Sequence, residues 1–270
     1  NTLYHIASIS KTFTSVAVLQ LVEQKKIRVN DHVAKYVTWF KGKNKNGNLE
    51  NITIKQLLSN TSGVWRDGST PHWVTGKFPK SLQPKGKVDL IFKPGSEFKY
   101  SNYGFSVLGE VIKSVTGLEY KEYVEKNILK RLDMKSTYPD YKKGLRNTAE
   151  GYGRIIPNHK REKFGHYSAN AYAPATGFVS NAIDLAKYIN ALSIYGSGII
   201  LKKKSKQLMS KPIKTTEDKD KYCLGIEIYK LGDKKIYGHG GGFQGFLTQI
   251  AYEPKTKLGV VVLTNALGAP

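Results

Sequence analysis

Ser8 and Lys11 stand three residues apart at the head of an apolar run from Val16 to Val22. A helix starting at about Ser8 places Lys11 one turn along on the same face, so its amine reaches the serine hydroxyl. A hydroxyl beside an amine is a nucleophile beside its base. A helix start also offers backbone N–H groups with no intrahelical partner, which favour negative charge developing near Ser8. A second S-x-x-K tetrad, Ser96-Glu97-Phe98-Lys99, follows Pro94-Gly95 and so belongs to a turn. The setting separates the two. Phe13, Val16, Ala17, Val18, Leu19, Leu21 and Val22 make the helix behind Ser8 apolar nearly all round, the pattern of a buried helix.

Two further groups carry the right residue types: Tyr100-Ser101-Asn102 on a turn and His239-Gly240-Gly241-Gly242 beside a strand. A tyrosine free in water is protonated at neutral pH. Tyr100 therefore acts as a base only where a neighbouring cation favours the phenolate, and Lys11 is the obvious one. Which of the two is the base stays open. Gly240 to Gly242 lacks the Lys-Ser/Thr of a phosphate loop. His159 and His166 lack ligand spacing and read as surface residues, so no metal site is expected. Trp65, Trp73, Tyr152, Tyr167 and Tyr172 are candidates for lining a cleft.

The elements that must position these residues follow from periodicity and turn chemistry. Helices are predicted over about 8–25, in the 52–63 segment, and over 105–115, 119–132, 183–194 and 203–210. Residues 134–174 read as irregular structure covering a site. Strands are predicted over 224–229, 235–239, 246–252 and 258–264, separated by Gly-rich and Pro-Lys-Thr-Lys turns. Helices first and an antiparallel sheet last indicate an α+β architecture. Leu258 to Leu263 is continuously apolar, as expected of a strand buried on both faces, and one of its edges should be unpaired.

The 270 residues suffice for a sizeable core, read as one catalytic domain over 1–270. Within it, 26–200 is mainly helical, and 1–25 joins 201–270 in a sheet-containing part. Formal charge is +22, yet only six of the 43 basic residues are arginine. With no zinc-finger, basic-zipper or RNA-binding signature, nucleic acid is not an expected partner. Dispersed lysines suit a solvated surface or attraction to an anionic one, such as cell-wall polymer or membrane headgroups. Cys223 is the only cysteine, so no intrachain disulfide or thiolate cluster forms. No run reaches the length of a transmembrane helix.

The order and context of the motifs resemble the serine β-lactamase and penicillin-binding superfamily, in its class C-like branch with DD-peptidases, D-aminopeptidases and esterases. The resemblance rests on Ser8-x-x-Lys11, Leu57-Leu58-Ser59-Asn60-Thr61-Ser62-Gly63, Pro94-Gly95-x-x-Phe98-x-Tyr100-Ser101-Asn102, Gly177-Phe178-Val179-Ser180 with Asp184-Leu185, and Gly238-His239-Gly240-Gly241. It implies a β-lactamase/transpeptidase-like fold, with an antiparallel sheet flanked by helices plus a helical subdomain. It also implies an acyl-enzyme on Ser8, proton transfer by Lys11 and Tyr100, substrate contacts from Asn102, His239, Gly240 and Gly241, and an oxyanion hole from the N–H groups of Ser8 and Gly242. No cofactor is implied, and the location is extracytoplasmic. Where family members carry two strands before the serine helix and a helix after the final strand, this chain reads as truncated. His239-Gly240-Gly241 replaces the Lys-Thr-Gly usual in β-lactamases and looks more like peptidases and esterases. Asn60 stands where the family often has His. The expected activity is a serine peptidase on D-amino-acid or cell-wall-type peptides, with a carboxylesterase, a weak β-lactamase or a non-catalytic wall binder as alternatives.

Overall fold

The structure, a computed structural model, describes residues 1–68, 73, 76–82 and 88–268. Part of the polar stretch between Trp65 and Trp73 therefore lies outside the described residues. Helix α1 (Ser10–Glu23) is buried from Ser10 to Leu21 and is the axis on which the other helices pack. Phe13 stacks on Tyr188 and Phe178, with ring centroids 3.8 and 4.4 Å away. Burial of each such side chain is worth about 1.5–3 kcal/mol. The helix begins two residues later than expected, because Ala7–Ile9 form a 3-10 turn. Lys11 still lies over Ser8, since residues three apart nearly eclipse in that geometry.

Helix α2 (Ile54–Leu58) opens with a capping box between Thr53 and Gln56 and stops at Asn60, whose φ of 56° is left-handed. Helix α3 (Asn102–Thr116) starts three residues before its predicted position because Ser101 caps it, Gly104 N–H donating to Ser101 Oγ at 2.8 Å. Gly117 at φ 71° ends it. The single helix expected over 119–132 is instead α4 (Tyr120–Val124), a π turn at Glu125–Leu129 and a 3-10 turn at Lys130–Leu132. Short helix α5 (Ala173–Thr176), then α6 (Ala182–Leu192) and α7 (Lys203–Met209), complete the helical part.

Strand β1 (Tyr4–His5) pairs with β6 (Val179–Ser180), and two small hairpins join β2 (Lys43–Asn44) to β3 (Gly47–Asn48) and β4 (Gly151–Tyr152) to β5 (Lys163–Phe164). The main sheet is an antiparallel meander of β7 (Lys214–Thr215), β8 (Lys221–Tyr222), β9 (Glu227–Leu231), β10 (Lys234–Phe243), β11 (Phe246–Glu253) and β12 (Leu258–Thr264). The sequence reading ended the second long strand at His239, whereas β10 runs on through Gly240, Gly241 and Gly242, paired with Gln249, Thr248 and Leu247. Close approach explains the glycine. A Cβ at Gly241 would lie 2.2 Å from Ile6 O, so only glycine lets β10 pack on the chain just before Ser8.

Strand β12 is the outer strand, with one edge unpaired among the described residues, as expected. Its burial on both faces is not observed. Val261 and Leu263 pack on the core, while Val260 and Val262 are 55% and 47% exposed. Helix α6 approaches one face only, Ile189 meeting Gly259.

Candidate active site

Ser8 sits on a turn fixed from three sides. Ile6 N–H donates to Phe178 O at 2.9 Å, Phe178 N–H to Ser10 Oγ at 3.1 Å, and Ser10 Oγ to Ala7 O at 2.5 Å. Ala7 is held at φ 44°, a region that costs a non-glycine residue about 1–3 kcal/mol.

Lys11 is fully buried, and its Nζ has three partners: Ser8 Oγ at 3.1 Å, Asn102 Oδ1 at 2.6 Å and Ala175 O at 2.8 Å. The two carbonyl oxygens can only accept, whereas the serine hydroxyl can also donate. A neutral amine meets this set fully, with two N–H groups to the carbonyls and its lone pair to Ser8. Burial drives the Lys11 pKa well below the usual lysine range, and Arg66 adds to that while Asp67 and Glu227 oppose it.

Asn102 is oriented by necessity. Its Nδ2 donates to Asp67 Oδ1 at 2.6 Å, and a carboxylate only accepts, so Oδ1 must face Lys11. Asp67 in turn pairs with Arg66 at 3.3 Å, and its backbone carbonyl accepts from Tyr172 Oη at 2.8 Å. Asn102 is 2% exposed and is not among the residues lining the cleft described below. The geometry makes it a holder of Lys11 before a contact for substrate.

Tyr100 is pinned on both sides by Asn60, whose carbonyl accepts from Lys99 N–H at 2.8 Å and whose side-chain oxygen accepts from Ser101 N–H at 3.0 Å. That is the structural meaning of the asparagine. Tyr100 lines the cleft with Ser8, and Lys11 Nζ lies over its ring, 4.6 Å from the centroid. Burial nevertheless dominates and pushes the Tyr100 pKa upward; Arg66 lowers it and Glu227 raises it. Lys11, the cation expected to favour the phenolate, does not set its protonation; desolvation does.

His239 is 2% exposed, with Nδ1 2.6 Å from Gly240 O, Nε2 3.2 Å from Tyr222 Oη and Glu227 Oε1 4.0 Å from Nε2. A ring that donates from Nδ1 and accepts at Nε2 is neutral, and burial lowers its pKa. Ser8, Tyr100, His239, Gly240 and Gly242 line one cleft of about 410 Å³. Gly241 does not; it faces Ile6 and is a packing residue. Among the other wall residues, Lys99 comes from the second tetrad, while Arg66, Glu217, Asp218, Asp220 and Glu227 carried no local motif in the sequence.

The second tetrad has no part in this cleft through its serine: Ser96 is exposed and its Oγ donates to Lys93 O at 2.8 Å. Tyr152, Tyr167 and Tyr172 do not line the cleft either. Tyr167 and Tyr172 are buried, with Trp73 and Phe243 in the same aromatic cluster. Trp65 contributes its backbone carbonyl, which accepts from Ser101 Oγ at 2.6 Å. His159 is exposed as expected, but His166 is not a free surface residue, since it stacks on Tyr141 and on buried His5 at 4.8 and 5.5 Å. No group of three or more metal-ligating side chains occurs among the described residues.

Known proteins share this fold. The family model described as Beta-lactamase matches residues 1–270. "Protein flp" of Staphylococcus aureus (strain MW2) is 33% identical over 98% of this chain, which spans 53% of that protein, about half the length of such curated relatives. A penicillin-binding protein homologue from Pyrococcus abyssi superposes with a TM-score of 0.82 at 26% identity, covering 100% of this chain and 63% of its own. A D-stereospecific amidohydrolase from Streptomyces sp. superposes with a TM-score of 0.82 at 24% identity, covering 98% of this chain and 83% of its own, a likeness of fold. A family match over residues 1–270, a relative of this identity and a superposable fold lead to one conclusion: the chain belongs to the Beta-lactamase family.

Proposed function

We propose that the protein is a serine acyl-hydrolase that forms an acyl-enzyme on Ser8, acting as a peptidase on D-amino-acid or cell-wall-type peptides. One observation carries the reading: buried Lys11 has two acceptor-only partners and the Ser8 hydroxyl as its third. Ser8 Oγ attacks the acyl carbonyl and passes its proton to neutral Lys11. The N–H groups of Ser8 and Gly242 face the developing oxyanion. Tyr100, kept protonated by burial, hands a proton to the departing amine and is recharged from Lys11. Water then repeats the sequence on the ester and releases the acid. Lys11 is thus the resting base and Tyr100 the acid.

The Gly240 position supports an esterase as second reading, because it supplies no hydroxyl for a substrate carboxylate and the neutral His239 beside it supplies no charge. An extracytoplasmic location and an anionic wall or membrane surface as partner for the +22 chain belong to the same proposal. Among the described residues no helix is long and apolar enough to cross a membrane.

The test is intact-protein mass spectrometry after mixing with a D-amino-acid peptide, a short-chain ester and a cephalosporin. An adduct that maps to Ser8 and vanishes in Ser8→Ala is expected. An adduct that survives Ser8→Ala contradicts the assignment, and absence of any adduct or turnover favours the non-catalytic alternative.

A further inference from the structure

The nucleophile's cleft reverses the charge of the molecule that holds it. Arg66 and Lys99 are its basic lining residues, against the four carboxylates of Glu217, Asp218, Asp220 and Glu227, which leaves a formal −2 in a chain of +22. Arg66 is moreover tied to Asp67 at 3.3 Å, outside the lining. Glu227 stands apart from the other three acids. It projects from β9, paired to β10 at Gly238, the residue before His239, and its side chain is 29% exposed. Among the described residues its one ion-pair contact is with His239 Nε2 at 4.0 Å, and that ring is neutral when it accepts from Tyr222. Glu227 lines the same cleft as Ser8 and Tyr100, and its charge acts on both Lys11 and Tyr100. Asp220 feels it too: burial, then Glu227 and Asp218, raise its pKa. A partly buried carboxylate in the nucleophile's cleft, in a chain with 43 basic side chains, has no lysine or arginine within ion-pair distance among the described residues.

We infer that Glu227 is the binding group for a positively charged amine of the substrate, so that the cleft selects acyl donors carrying a free ammonium close to the scissile carbonyl. This rests on the acyl-enzyme reading above and narrows it to free-amine amides and peptides, as against N-acylated or carboxylate-terminated ones. An ammonium on Glu227 completes the ion pair that neutral His239 cannot make. The low-dielectric walls focus the negative field on an incoming cation. A substrate carboxylate in the same place meets four like charges.

Three matched donors decide it: the p-nitroanilides of D-alanine, N-acetyl-D-alanine and N-succinyl-D-alanine, whose α-nitrogen is respectively a cation, capped by a neutral group and capped by a chain that ends in an anion. kcat/KM is measured for the wild type, Glu227→Gln and Glu227→Lys, with p-nitrophenyl acetate and Ser8 mass spectrometry as the separate check on acylation. The wild type is expected to prefer the free amine over the acetyl donor by about tenfold or more, as for a hydrogen bond to a charged group. Glu227→Gln should remove most of that preference, and Glu227→Lys should turn it towards the succinyl donor. In the wild type alone, raising salt should shrink the preference, a readout independent of how the variants fold. Indifference of the wild type to donor charge, or a preference unchanged in Glu227→Gln, overturns the inference while Ser8 acylation by the ester leaves the acyl-enzyme reading standing. Failure of every donor to acylate Ser8 overturns both.

Discussion

Among the described residues two lysines are buried, and their third partner sets them apart. Lys206, 1% exposed, donates to Ser193 O, Gly196 O and Ser197 O at 3.0, 3.1 and 2.6 Å. All three partners only accept, so three N–H groups are required and the amine is satisfied as an ammonium. Lys11 has two such carbonyls and a hydroxyl, which accepts from an ammonium but can also donate, so here the neutral amine is satisfied as well. Burial lowers both pKa values, and for Lys11 Arg66 adds to it, whereas Glu23 pulls Lys206 the other way. Burial alone therefore does not make a base; a donor-capable partner does.

The largest expected effect breaks the pair functionally. Lys11→Ala should lower the acylation rate by ~10²-fold or more, as for loss of a general base, while Lys206→Met should leave it within about twofold. Equal losses of activity in rapid-mixing acylation assays would erase the distinction. Lys206→Met should instead lose stability, by ~1–3 kcal/mol in urea unfolding, since a charged donor is removed from the 193–197 loop. An unchanged unfolding midpoint would mean that the loop holds itself.

A sharper test lies in pH. Lys11 is active when unprotonated, so kcat/KM falls as pH drops through its lowered pKa. Arg66→Gln removes a cation that lowers this pKa, so the acid limb should move to higher pH. Asp67→Asn removes an anion that raises it, so the limb should move to lower pH. Shifts of the same sign would show that the 66–67 pair acts through folding and not through charge. The smallest effect concerns the other tetrad: Ser96→Ala should change neither activity nor stability beyond about 0.5 kcal/mol, as for an exposed position.

That contrast also marks what was legible in the sequence. Ser8, Lys11 and the buried helix behind them were readable because spacing and periodicity are local. Tyr100 and the glycine strand were readable through motif order. Asp67, by contrast, orients Asn102 from 35 positions away, and Asn102 reaches Lys11 across 91, connections that no local pattern encodes. Glu227 was invisible for another reason, since a lone acid in a strand is ordinary until the fold brings it to the cleft. Gly240 to Gly242 were read as interrupting a strand that in fact continues, because local turn preference is outweighed by the close contact with Ile6. The apolar run of β12 was read as doubly buried, although it alternates between core and solvent at the sheet's edge.

The protonation state of Lys11 is open to direct measurement by NMR titration of 13C-labelled lysine side chains, with Lys11→Arg and Lys206→Arg providing the assignments. Lys11 should titrate well below the ordinary lysine range and below Lys206. A Lys11 signal that titrates together with the exposed lysines, or a Tyr100 ring that is ionised at pH 7, would contradict Lys11 as the resting base.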